Sequence, residues 1–353
     1  MEQDMQNLLE MIDRPAFIVR DQVITDCNQM AKHRQIPVGK PISELLPENG
    51  SAYQAYQGGI LYLTLQIGWI QCGATVTRHK DGDIFLLDRD TDQAQLQALA
   101  LAAQQLRVPL SNMLTITDCL LPELQDESQQ QRAFQMQRAL FQLMRQINNM
   151  ADAERYAGLD SPQFENTELC HFFREIIEKA HTTLEKANTS VHFTCPETPV
   201  LTMIDRERVE RATYNLLSNA VKFSPTGSTV EVTLTRTDRM ACLTIEDQGE
   251  GIAAHVQGSL FHRYLREPAI EDSRFGLGLG MTLVRSVAAV HGGTVLLEQS
   301  RGTRVAMTIA IRREIPGILR TPKVRISDYT GGRDPSLLEF SDSLPADAYE
   351  ASF

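Results

Sequence analysis

The chain has 353 residues, long enough for two or three domains that each bury a core. A hydrophobic content of 42% and a charged content of 22% fit a globular protein, and the net charge of −11 provides no basic field for a nucleic acid. Cys27, Cys72, Cys119, Cys170, Cys195 and Cys242 form no CxxC pair and no Cys/His cluster, which argues against a zinc site or disulfide frame and for free thiols in a reducing compartment. The N-terminus has no basic region followed by an apolar core, so no signal peptide is expected. The most apolar stretch, Gly59 to Ile70, is interrupted by Thr64 and Gln66 and is too short to span a bilayer. A cytoplasmic protein without a membrane segment is the expectation.

Residues 1–90 read as a small α+β unit. Ala16 to Arg20 and Val23 to Asp26 are two short strands across a tight connection, and Gly39 and Pro41 punctuate a loop. Gly73 to His79 and Ile84 to Asp88 flank Lys80-Asp-Gly-Asp83, a hairpin turn signal. Paired short strands, a helical middle and a closing hairpin resemble a PAS sensor domain, and Val38-Gly-Lys-Pro-Ile-Ser-Glu-Leu-Leu-Pro47 is similar to a recurring PAS stretch. Trp69, the single tryptophan, is expected in a core or interface rather than against a ligand.

Residues 91–157 take helical periodicity. Leu96, Leu99, Ala103, Leu106, Leu110 and Met113 recur at three- and four-residue steps, as do Ala133, Leu140, Met144, Ile147 and Met150, with Leu121-Pro122 as the break. A lone antiparallel hairpin leaves such stripes wet. Pairing with a second copy in a homodimeric four-helix bundle is therefore predicted.

Residues 158–313 read as an α+β domain. Phe172 to Leu184, Glu207 to Phe223 and Leu279 to Val290 are predicted helices; Val230 to Leu234, Ala241 to Ile245 and Val305 to Ile309 alternate as half-buried strands. The whole is an α+β multidomain chain. Three blocks stand out: Asn215-Leu-Leu-Ser-Asn219-Ala-Val-Lys222, Asp247-Gln-Gly249-Glu-Gly251 and Gly276-Leu-Gly278-Leu-Gly280. Asn215 and Asn219 lie one helical turn apart and offer neutral oxygens to a hard cation such as Mg²⁺. Lys222 follows on nearly the same side and can meet phosphate as a point charge. Asp247 can accept a bond from an adenine amino group, with Gly249 and Gly251 allowing close backbone approach. The third block precedes a helix whose exposed amides can hold phosphate oxygens, after a loop at 269–275 placed to act as a lid. Neither a P-loop nor a GxGxxG fingerprint is present, since position 283 is Leu283.

In this order the blocks resemble the asparagine and glycine boxes of the histidine-kinase branch of the GHKL ATPase superfamily, whose fold is a Bergerat-type α/β sandwich that binds ATP. Phe261-His-Arg263-Tyr-Leu-Arg266, His291-Gly292-Gly293 and Gly302-Thr303 are similar to further family elements. The resemblance implies that Asn219 and Asn215 hold Mg²⁺ and that Lys222 contacts phosphate. It also implies that Asp247 reads adenine with Thr303 nearby, that Arg263 or Arg266 reaches the γ-phosphate, and that Gly276, Gly278 and Gly280 border the lid. The hydrolytic branches carry a water-activating Glu one turn before the first Asn. That place is Arg211 here, so free hydrolysis is not expected.

The family's phosphotransfer helix reads His-Glu-Leu-Arg-Thr-Pro-Leu, and this chain reads Gln104-Gln105-Leu106-Arg107-Val108-Pro109-Leu110. A primary amide has no basic nitrogen lone pair and cannot replace imidazole as a phosphoryl nucleophile. His171, His181 and His192 lie in the presumed nucleotide domain and are read as structural. The tail at 314–353 is rich in Pro, Gly, Asp and Ser, and its composition predicts disorder, although Ile326, Tyr329, Leu337, Leu338 and Phe340 offer packing residues. The resulting expectation is an ATP-binding signalling switch without an acceptor; the alternatives are a kinase acting on a partner in trans, with a response regulator or partner kinase as counterpart, and a nucleotide-free scaffold.

Overall fold

The computed structural model describes residues 9–88, 93–154, 161–251, 279–299, 301–312, 330 and 332–349. β1 (Ala16–Arg20) is an unbroken apolar run because both its faces are covered. Phe17 and Val19 enter the main N-terminal core, whereas Ala16 and Ile18 pack with Leu9 and Leu86 on the other side. The chain turns into β2 (Val23–Cys27) through Asp21 and Gln22, both at positive φ, the backbone that a two-residue hairpin requires. Helices α1 (Gln29–His33) and α2 (Gly50–Ala55) precede β3 (Ile60–Ile67), β4 (Ile70–His79) and β5 (Gly82–Leu87). At the predicted β4–β5 turn, Gly82 has φ +128, and a Cβ there would lie 2.7 Å from the Val19 carbonyl oxygen. The strands run in the order β2-β1-β5-β4-β3. Trp69 is not a core residue. It stands fully exposed on the β3–β4 turn, because both strands run out past the core there.

α3 (Gln93–Leu120) and α4 (Glu127–Glu154) form the predicted hairpin, joined by a 3-10 turn at Leu121–Glu123. Pro109 removes one backbone hydrogen bond without ending α3. The predicted stripe on α3 divides. Ala103 and Leu110 are buried, while Leu106 and Met113 face outward with Leu101, Val108 and Ile116. α4 buries the adjacent positions Leu140 and Phe141, which one contact face alone does not explain; a second partner described below covers it.

The next unit opens with β6 (Glu165–Glu168), α5 (Leu169–Leu184), β7 (Ser190–Thr194) and β8 (Leu201–Ile204), β6 and β8 forming a separate two-stranded sheet. Then come α6 (Arg206–Phe223), β9 (Thr229–Arg236), β10 (Met240–Glu246), α7 (Gly280–Val290), β11 (Val295–Gln299) and β12 (Thr303–Ala310). Burial alternates along β9 and β10, so one face carries Val230, Val232, Leu234, Leu243 and Ile245 into a core shared with α5, α6 and α7. The helices and strands predicted for this unit are all present. β6, β7, β8 and β11 were not predicted.

The N-terminal sheet and the sheet built from β7 and β9 to β12 are continuous. β11 pairs antiparallel with β3 through Val295–Tyr62, Leu296–Leu61 and Leu297–Ile60, giving the order β2-β1-β5-β4-β3-β11-β12-β10-β9-β7. Arg285 of α7 donates to Asp88 at 2.8 Å and stacks 5.1 Å over the Tyr62 ring. Within the C-terminal stretch predicted to be disordered, α8 (Pro335–Glu339) and a 3-10 turn at Ala346–Tyr349 are ordered, and Leu338, Phe340, Leu344 and Tyr349 are buried. Phe340 meets Tyr214 of α6 and Tyr349 meets Phe141 of α4, which supplies the second partner of α4. Ile326 and Tyr329 lie outside the described residues. Among the described residues no helix is long and apolar enough to cross a membrane.

Candidate functional site

α6 begins at Asp205, whose side chain accepts from the Arg208 amide at 3.2 Å. The same residue's backbone N–H donates to His291 Nε2 at 3.0 Å, while His291 Nδ1 bonds the Val287 carbonyl at 2.7 Å. Both ring nitrogens are thus satisfied by a neutral imidazole, and burial pushes its pKa down to about 4. Halfway along α6, Asn215 is buried and donates Nδ2 to the Arg211 carbonyl at 2.9 Å. Its Oδ1 is thereby turned toward the first residue of α7, where a Cβ on Gly280 would lie 2.7 Å away. α6 and α7 are therefore packed antiparallel, pinned at Asp205–His291 and at Asn215–Gly280.

The second block meets the end of α6. The Gln248 amide donates to Ser224 Oγ at 3.4 Å, and a Cβ on Gly249 would lie 2.5 Å from the Phe223 carbonyl oxygen. Asp247 is buried, and its Oδ1 accepts from the amides of Gly249 and Thr303, each at 2.9 Å. Its own amide donates to the Thr303 carbonyl at 2.9 Å. Burial raises the Asp247 pKa, with the Thr303 and Gly249 amides pulling the other way. A Cβ on Gly302 would collide with the Asp247 backbone, so this corner is tight enough to need glycine. Gly251 takes φ +79 beside Gln299.

Three separated blocks thus converge on one stretch of α6. The structure sets Asn215 against Gly280, joins Asp247 with Gly249 and Thr303 beside the end of α6, and leaves Asn219 and Lys222 further along α6 and Gly251 beside Gln299. Arg263, Arg266, Gly276 and Gly278, and the loop at 269–275, lie outside the described residues. Gln104 and Gln105 are exposed on α3. His171 and His192 lie on the surface, and His181 Nδ1 accepts from the Val191 amide at 3.3 Å.

The donor set suits a magnesium nucleotide. Among the described residues no group of three or more His, Cys, Asp or Glu could hold a metal, and side-chain amides such as those of Asn215 and Asn219 are neutral oxygen donors of the kind Mg²⁺ takes. Asp247 is a buried acceptor held through Oδ1 by two backbone amides.

The other end of the α6 stripe holds what the sequence did not disclose. Arg211 is 1% exposed and donates to Asp152 Oδ2 of α4 at 2.6 Å, to Asn149 Oδ1 at 3.1 Å, and to Glu339 of α8. Arg145 of α4 lies 3.5 Å from Glu339 and donates to Asp342 at 2.7 Å. Lys222, its side chain 8% exposed, has Nζ 3.7 Å from the same Asp342 carboxylate. The mixed charge of the tail beside Leu338 and Phe340 was the only signal for these partners.

Residues 204–313 match the family model described as Histidine kinase-, DNA gyrase B-, and HSP90-like ATPase. The sensor histidine kinase YcbM of Bacillus subtilis is 24% identical over 230 residues, covering 63% of this chain and 73% of its own length. The sensor-like histidine kinase SenX3 of Mycobacterium tuberculosis is 26% identical over 238 residues, 65% of this chain and 57% of that protein. The crystal structure of full-length ShkA in complex with AMPPNP has a related fold, with a TM-score of 0.51 at 18% identity over 62% of this chain and 47% of that one. The matched part is thus less than two thirds of SenX3 and of ShkA.

Proposed function

We propose that this chain, which belongs to the sensor histidine kinase family, is a magnesium-ATP-binding switch that lacks its own phosphate acceptor. The observation that carries this reading is the convergence of the three blocks on α6, set against exposed Gln104 at the acceptor position of α3. Asp247 accepts from the adenine amino group, and the Thr303 and Gly249 amides hold the carboxylate in place for that bond. Asn215 and Asn219 hold the Mg²⁺ through their amide oxygens. Lys222 offsets phosphate charge, and Gly249, Gly251 and Gly280 keep the walls clear of side chains. Bound ATP supplies a transferable γ-phosphoryl group. Gln104 offers it no nucleophile, and Arg211, turned inward onto carboxylates, provides no base to activate water.

Residues 1–90 act in this reading as a PAS-like sensor, which the strand order β2-β1-β5-β4-β3 and the helices between β2 and β3 support. Residues 91–157 are the dimerising hairpin, and the outward Leu101, Leu106, Val108, Met113 and Ile116 of α3 support pairing with a second copy in a four-helix bundle. Residues 158–313 form the nucleotide domain and 314–353 the tail. Six free cysteines agree with a cytoplasmic setting. The readout is a partner protein, such as a response regulator or partner kinase, that senses the bundle geometry.

Titration with ATP, with and without Mg²⁺, should give saturable Mg²⁺-dependent binding. Incubation with γ-labelled ATP should leave no acid-labile label on the isolated chain, and such a label would sink the reading. Label that appears only on an added partner points to the second reading, a kinase acting in trans.

A further inference from the structure

The C-terminal segment lies across the seam between the hairpin and the nucleotide unit. Arg333 donates to Asp118 of α3 at 2.6 Å, Ser336 bonds Thr183 of α5, and Lys186 donates to the Ala348 carbonyl at 2.9 Å. On α4, Arg138 donates to the Asp342 carbonyl at 3.1 Å, and Gln142 donates to that of Ser341 at 3.2 Å. The segment therefore touches both arms of the hairpin and helices α5 and α6 at once.

Its acidic residues end on α6, on the side that the proposed reading gives to phosphate. Arg211, Asn215 and Lys222 share one face of α6, being spaced by four and seven residues. Glu339 reaches Arg211 at one end of that face and Asp342 reaches Lys222 at the other. Among the described residues, the cations Arg145, Arg211 and Lys222 of this cluster meet the carboxylates Asp152, Glu339 and Asp342. A phosphate brought to Lys222 would stand beside Asp342 with like charge, in a site too buried for water to screen it.

We propose that residues 333–349 are a built-in latch, with Asp342 competing with nucleotide phosphate for Lys222, so that docking of the segment and binding of a nucleoside triphosphate oppose one another. The inference rests on the nucleotide reading above. The latch gives the switch its two states: segment docked, with α4 clamped to α6, and segment released, with nucleotide bound and the hairpin free of the clamp. Ligand and segment interact with the same lysine, which provides the differential affinity such a switch needs.

The test uses the full chain. ATP with Mg²⁺ is titrated into the wild type and into Asp342→Asn, and hydrogen exchange at residues 336–349 of the wild type is followed with and without the nucleotide. Asp342→Asn should bind about tenfold tighter, within the usual range of coupling between sites. Exchange in the wild-type segment should speed up when nucleotide is added, a readout that does not depend on how the variant folds. Equal affinities, or exchange that nucleotide leaves unchanged in a chain that binds it, would overturn the latch while leaving the pocket standing. No saturable binding by either chain would overturn the pocket reading and the latch with it.

Discussion

At the Asp247 end of the candidate site the carboxylate is held by backbone amides, at Gly249 and Thr303, and walled by glycines. At the Lys222 end the cation sits in a cluster of side chains from α4, α6 and the C-terminal segment. The first end is set by the strand ends and turn that make the fold, so it is preorganised. The second depends on a segment that joins the core through Leu338, Phe340, Leu344 and Tyr349 and through charged contacts but adds no strand to the sheet, so on the proposed reading it changes state without unfolding the sheet. On the proposed reading, the comparison teaches that the base would meet a preformed corner of the fold, whereas the phosphates would meet a conditional one.

The largest expected effect lies at the conditional end. Glu339→Ala strips a buried carboxylate from Arg211 and Arg145 and should cost about 3–5 kcal/mol in denaturant-induced unfolding, the usual effect of leaving buried charge uncompensated. A loss under about 1 kcal/mol would show that the cluster is wet and would blur the contrast.

Next comes the frame shared by both ends. His291 has its pKa lowered to about 4, so the fold prefers the neutral ring. Its stabilisation is complete above the unfolded value of 6.5 and is lost as the pH falls toward about 4. The loss amounts to about 3 kcal/mol over that window. The slope of stability against pH should flatten there in His291→Gln.

At the permanent end, Asp247→Asn keeps an oxygen acceptor for the two amides. Stability should change little, while ATP affinity should fall by about 2 kcal/mol, as expected for losing a charged hydrogen bond. Because burial raises the Asp247 pKa, wild-type affinity should fall with decreasing pH before ordinary carboxylates titrate. The smallest change is Gly280→Ala. Its Cβ would press on the Asn215 amide oxygen and should cost about 1 kcal/mol of stability, with a larger loss in the Mg²⁺-dependent part of ATP binding. An alanine variant that binds Mg-ATP normally would remove Asn215 from the metal's ligands.

The nucleotide unit was readable because its signals are local. Alternation marked β9, β10 and β12, and helical periodicity marked α5, α6 and α7. The residues of each block sit on the same turn or helix face and so carry their geometry in their spacing. β11 went unseen as a strand, and its pairing with β3 joins residues whose partnership no local pattern encodes. The outward Trp69 and the divided stripe of α3 have the same origin: apolarity marks a residue as able to be buried, not which neighbour arrives to bury it.

By itself, then, the order of residues determined the types of the elements with a strong local pattern, marked the Asn, Asp and Gly blocks, and put Gln104 where the resemblance expects His. Each of these follows from side-chain chemistry and short-range spacing. Only the tertiary structure decided that Lys222 faces Asp342, that Arg211 is neutralised by Asp152 and Glu339, and that the two sheets run as one. Those pairings bring together side chains far apart along the chain, and charge sign and hydrophobicity leave many possible partners until packing excludes all but one.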